Sequence, residues 1–230
     1  SRVQLLVGAG IETRERLWFN EADGLPLQLT RIRRGTKPSS KQYRFASDRV
    51  YRVRKKPENE IEAEQSPEHW SRSSDSIYPL PAGECPFVLE SLQLFYLLSS
   101  PQYRISEASQ ALCVFNRKHV YRVEIRFAQP GAIDVDYVQI AAEEETGIRE
   151  TREIIHLVLN SRPLEDTAAM KPFSFLGMQG EIHVLLSDPG RVPLRISGKV
   201  PGFGVIDLEL RKLVGCADQD CIQQSNEESS

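Results

Sequence analysis

Apolar and polar residues alternate with a period of two along most of this chain. Between Gly177 and Leu213 the rhythm recurs three times. Ile182, Val184 and Leu186 alternate with Glu181, His183 and Leu185; Val192, Leu194 and Ile196 with Pro193, Arg195 and Ser197; Ile206, Leu208 and Leu210 with Asp207, Glu209 and Arg211. Such spacing sends successive side chains to opposite faces of a strand, one buried and one wet. Asp188-Pro189-Gly190 and Pro201-Gly202 separate the segments. Proline restricts φ there and glycine accepts a positive φ, so both stretches predict turns.

The same rhythm predicts strands upstream. Leu25, Leu27 and Leu29 form one, Tyr43 and Phe45 another, and Tyr51 with Val53 a third, after a tight Asp23-Gly24 turn. Ala111–Phe115, Tyr121–Phe127, Ile133–Ile140 and Ile154–Leu159 continue the series, with a charged turn expected at Glu143–Gly147. One segment has helical spacing: Leu89, Leu92, Phe95 and Tyr96 predict a helix over 87–98, with Pro86 and Glu90 at its start and Ser99-Ser100-Pro101 at its end. Lys55–Leu80 is the longest polar stretch and reads as a long loop with room for one strand. Many strands and one helix predict a mainly β fold: a curved antiparallel sheet, or partly open barrel, packed on one short α-helix. No domain boundary stands out. The expected organisation is a single β-rich domain over 1–213, with its long loop at about 55–80, and a flexible acidic tail over 214–230.

Composition adds little to this picture. The 230 residues are 40% hydrophobic and 27% charged, as in ordinary soluble globular proteins. The formal net charge of −3 argues against a nucleic-acid partner, and no apolar run reaches the roughly 18 residues of a membrane span. The charge is uneven, however. Arginines and lysines crowd residues 31–56, where Arg44, Arg52 and Arg54 are candidates for binding an anionic surface or a partner protein. A solvated strand face that discourages edge pairing is the competing account. Cys216 and Cys221 either close a small loop in an oxidising compartment or remain free thiols. Cys85 and Cys113 are too far apart in sequence to form a zinc-ligand pair of the usual spacing.

No catalytic constellation emerges. Leu5-Leu6-Val7-Gly8-Ala9-Gly10 starts like a dinucleotide fingerprint but has Thr13 where the third glycine belongs. Glu153 and His156 fall on a strand, where they point to opposite faces, and Asp134 with Asp136 reads as the wet side of an amphipathic strand. No metal or cofactor is expected, and a hydrolase with an unrecognised site is the weakest of the readings. The inward aromatics Phe95, Tyr96, Tyr121, Phe127 and Tyr137 suggest a pocket for a hydrophobic small molecule, with a solid core as the competing reading.

The order of segments resembles a known family. Asp23-Gly24-Leu25-Pro26-Leu27, Tyr43-Arg44-Phe45 followed by Val50-Tyr51-Arg52-Val53, the run Leu89–Leu98, and the closing segments Val184–Asp188, Val192–Ile196 and Gly204–Leu210 are similar to the exported bacterial family called domain of unknown function 3108. The resemblance covers about residues 12–213. It departs at the helix entry, where Val88-Leu89-Glu90 replaces an Asp-Pro pair. It implies a curved antiparallel sheet in a periplasmic protein with its signal peptide removed, in keeping with a chain that opens on Ser1, and with an N-terminus that falls short of the family's first strands. It assigns no catalytic residue. The resulting expectation is a non-enzymatic envelope protein that binds either a hydrophobic small molecule or an envelope partner, or else a scaffold that uses the basic face at 31–56.

Overall fold

The computed structural model describes residues 2–7, 13–20, 22–81, 83–100, 110–141, 144–165 and 170–214; Cys216, Cys221 and the tail at 215–230 lie outside them. The chain is mainly β, with antiparallel sheets that do not close into a barrel. Six strands form one antiparallel meander, each bonded to the next: β1 (Arg2–Val7), β2 (Thr13–Phe19), β3 (Pro26–Arg33), β4 (Ser39–Phe45), β5 (Arg49–Lys56) and β6 (Arg72–Pro79). The second sheet contains β7 (Leu89–Glu90), β8 (Gln110–Asn116), β9 (His119–Phe127), β10 (Gly131–Ala141), β11 (Glu144–Pro163), β12 (Gln179–Ser187), β13 (Pro193–Val200), β14 (Gly204–Glu209) and β15 (Lys212–Val214). Its order is β14-β13-β12-β11-β9-β8-β7, with β10 joining β11 and β15. The short β7–β8 and β10–β15 pairings are parallel.

The chain gathers into two compact units. The first is Ser1–Tyr96, Leu112–Arg122 and Pro163–Lys171; the second is Leu97–Ala111, Val123–Arg162 and Pro172–Ser230. The polar stretch at 55–80 lies wholly within the first.

In the first unit one face of the meander supplies Leu17, Phe19, Leu29, Tyr43 and Val50 to a core completed by Val88, Leu92, Cys113, Phe115 and Val120. Phe115 is ringed by Tyr43, Phe45 and Tyr78, with centroids 6.0, 5.9 and 5.8 Å away. The helix α2 runs over Ser91–Ser99 rather than 87–98, because Leu89 and Glu90 pair with Val114 and Phe115 as a strand. Glu90 still serves the helix start: its carboxylate accepts the Leu92 N–H at 2.6 Å and the Ser91 hydroxyl at 2.8 Å. The polar stretch is more ordered than its composition suggests. A short helix α1 (Glu60–Glu64) is capped by Asn59, whose Oδ1 accepts the Glu62 N–H, and β6 follows it. A disulfide joins Cys85 to Cys113, with Cα atoms 5.9 Å apart.

In the second unit Ile182, Val184 and Leu186 are buried while Glu181 is exposed, as the alternation predicts. Strand β11 is far longer than the expected Ile154–Leu159. Its charged first half pairs with β10 from Ala141↔Glu144 to Gly131↔Ile154, so Glu144–Gly147 is strand and not turn. A second cluster unites Val135, Tyr137, Ile154 and Leu194. Gly198 lies against the buried Met178, where a Cβ would come within 3.0 Å of the Met178 Cβ.

Candidate anion-binding site

The site follows from strand parity. On β3, Leu29, Arg31 and Arg33 project to one side; register puts Tyr43, Lys41 and Ser39 of β4 beside them, and Arg52 and Arg54 of β5 beyond. Leu17, Glu15 and Thr13 of β2 extend the same face on the other flank. One sheet face therefore grades from apolar (Leu17, Leu29, Tyr43) to cationic along the strand direction. Lys41 stands directly opposite Arg31 on one side and Arg54 on the other. With strands about 4.8 Å apart, three cations share roughly 10 Å of sheet.

A concavity of about 420 Å³ opens at this cationic end, lined by Arg31, Arg33, Lys37, Lys41, Arg54 and Lys56, with no acidic side chain in its wall. Arg31 is already engaged: Glu15 meets its Nε at 2.5 Å and its terminal nitrogen at 2.9 Å. Burial opposes the Arg31 charge, but Glu15 more than compensates and holds the guanidinium above its ordinary range. Arg33 and Arg54 differ. Their Nε–H groups are buried and lack any hydrogen-bond partner. A buried donor left unpaired costs about 1–3 kcal/mol, which an anion seated there would recover. The Lys41 ammonium is lowered to about 8, first by burial and then by Arg31, Arg54 and Arg52, against the opposing pull of Glu15. Arg52 shares the sheet face but does not line the cup; it donates to Ser76 Oγ at 2.8 Å and lies 5.4 Å from the Tyr78 ring centroid. Nearby, Glu90 is fully buried, and burial raises its carboxyl pKa despite the attraction of Arg31.

Of the three arginines singled out from the sequence, Arg52 and Arg54 share this face. Arg44 pairs with Tyr51 and Gln28 and lies on the opposite one. Phe95, Tyr96 and Tyr121 belong to the first unit, Phe127 and Tyr137 to the second. Tyr121 is buried and donates its hydroxyl to the Lys171 carbonyl, Tyr137 belongs to the second unit's core, and Tyr96 and Phe127 are exposed. The proposed Cys216–Cys221 bridge lies outside the described residues. Arg31, Arg33 and Lys41 were visible as part of a basic run, but only register shows that they join Arg54 on one side.

The second unit has a cavity of comparable size, about 400 Å³, in which carboxylates face the arginines, although the Arg195 Nε–H is likewise buried without a hydrogen-bond partner. Arg149 pairs with Asp136 at 2.6 Å, Thr151 donates to Asp134 at 2.6 Å, and Glu209 meets Arg195 at 2.9 Å and Arg211 at 3.2 Å. On β11 and β12, His156 Nε2 lies 2.9 Å from His183 Nδ1, and His183 Nε2 lies 3.3 Å from Glu181. Among the described residues no group of three or more His, Cys, Asp or Glu is arranged to hold a metal ion, and no helix is long and apolar enough to cross a membrane.

Fold and site together define an antiparallel β-sheet protein with a cupped basic face. Comparison with protein-family models, curated proteins and solved structures returns no match to the chain.

Proposed function

We propose that this is a non-enzymatic envelope protein whose basic meander face binds a ligand bearing a phosphate or similar oxyanion. The observation that carries the reading is the pair of buried, unpartnered Nε–H donors of Arg33 and Arg54 beside a cup walled by cations. Guanidinium forks suit oxyanions through charge-assisted hydrogen bonds. A cup of about 420 Å³ suits a headgroup or small molecule better than a flat surface does. The Cys85–Cys113 bridge supports an oxidising compartment. A hydrophobic ligand has less to recommend it, since of the aromatics that suggested one Tyr96 and Phe127 are exposed and Tyr137 is packed into a core cluster.

Titration calorimetry with inorganic phosphate and pyrophosphate tests the proposal, alongside sedimentation with vesicles of anionic or neutral phospholipid. Saturable, salt-sensitive binding of the soluble anions, weakened at least tenfold in R33Q/R54Q, supports it. Retention by anionic vesicles alone identifies a lipid headgroup as the source of the anion. Failure to bind either probe, or equal binding by the variant, overturns it.

A further inference from the structure

We propose that Lys41 is a reactive amine that forms a reversible imine with a small carbonyl compound carrying a phosphate or carboxylate, held by Arg33 and Arg54. The inference rests on the anion-binding reading of the same cup and adds the chemistry of its ligand. Three observations converge on this residue. Lys41 occupies the middle of a cross-strand row, flanked directly by Arg31 and Arg54. It lines the cavity that the two unpartnered guanidinium donors border. Among the described residues no carboxylate lies within ion-pair distance of its Nζ.

The neighbouring lysines differ. Lys37 and Lys56 are exposed, and Lys55 spends its ammonium on the Glu68 carbonyl at 2.8 Å. A partly buried amine between cations, with no anion to hold its proton, is the arrangement that makes lysine nucleophilic near neutral pH. The charged groups facing it are Arg31 on β3, Arg52 and Arg54 on β5, and Glu15 on β2; they and burial lower its pKa to about 8. The reaction is balanced without an oxidant or reductant. The neutral Nζ attacks the carbonyl carbon, the carbinolamine loses the carbonyl oxygen as water together with the two amine hydrogens, and a C=N bond remains. Hydrolysis reverses it.

The test labels the full chain at pH 8 with substoichiometric pyridoxal 5′-phosphate, reduces the imine with borohydride and maps modified lysines by peptide mass spectrometry. Three parallel arms use pyridoxal, which lacks the phosphate; inorganic phosphate as competitor; and the K41R variant. Lys41 is expected to carry most of the label, at least tenfold more than with pyridoxal, and to be protected by phosphate. K41R is expected to lose that label while keeping the parent's circular-dichroism spectrum. Label spread evenly over Lys37, Lys41 and Lys56, or undiminished in K41R, overturns the proposal even if phosphate binds, leaving the anion-binding reading standing. Preferential labelling of Lys41 by both aldehydes alike, without phosphate protection, preserves the reactive amine and removes the anion site instead.

Discussion

Lys41 on β4 stands directly opposite Arg54 on β5, two cations in a single cross-strand pair. Like charges so placed work against the sheet, and here Arg31 faces Lys41 from the other side. Below pH 8 Lys41 is charged in both the folded and unfolded chain, and the repulsion is felt in full. Between about 8 and 10.5 the folded chain has released a proton that the unfolded chain keeps, so stability rises with pH. K41M is therefore expected to be more stable than the parent at pH 7 by about 1 kcal/mol, after discounting for solvent screening of a partly exposed group. The advantage should close by pH 10.5 in denaturant titrations at stepped pH. An advantage independent of pH would point to packing instead.

Glu90 gives a trend of opposite sign. Its pKa is raised from 4.5 by burial, so above that value the folded chain holds a proton the unfolded chain has lost. Stability falls as pH climbs through the raised pKa. E90Q keeps an oxygen to accept the Leu92 N–H and removes the charge. It should flatten the fall and gain on the order of 1 kcal/mol at pH 8, read from the same titrations. A variant weaker at every pH would show that attraction to Arg31 outweighs burial.

The Cys85–Cys113 bridge closes a span of 28 residues. Opening such a loop costs about 3 kcal/mol. Reductant, or C85A/C113A, should lower the unfolding midpoint accordingly, and peptide mapping after alkylation should find Cys85 and Cys113 unmodified in the unreduced protein. Both thiols reacting before reduction would remove the bridge.

Gly198 leaves no room for a side chain. A Cβ there would meet Met178 at 3.0 Å (Cβ), 3.2 Å (Sδ) and 3.3 Å (Cγ). G198A should cost about 1–3 kcal/mol by overpacking. Combined with M178A, its penalty should shrink, because the two changes act on one space. Strict additivity in urea melts would show that Met178 moves aside freely.

Alternation along the sequence placed most strands, because burial on one face leaves a direct period-two record. Ile182, Val184 and Leu186 show it plainly. Alternation puts Leu185 on the wet side, yet it packs beside the cluster of Val135, Tyr137, Ile154 and Leu194, since that side of β12 is also partly covered. The first half of β11 left no such record: most of Glu144–Glu153 is exposed, so nothing alternates. The start of α2 is not legible from spacing because Leu89 and Glu90 suit either state, and tertiary pairing with β8 decides. The site was half legible. The basic residues were evident, but which of them share a face depends on pairing across β3, β4 and β5. Arg44 shows the cost of judging by proximity in sequence. The bridge was equally hidden, because four cysteines allow three pairings and spacing alone favours the nearest two.

The basic cup owes its existence to pairing and not to residue content. Slipping β4 by one position against β3 would turn Lys41 to the far surface and bring its even-numbered neighbours Ser40, Gln42 and Arg44 to the near one, with the overall charge unchanged. Insertions of uncharged residues in the 34–38 hairpin connection that alter register by an odd number should thus abolish recognition while leaving net charge and strand content as they were.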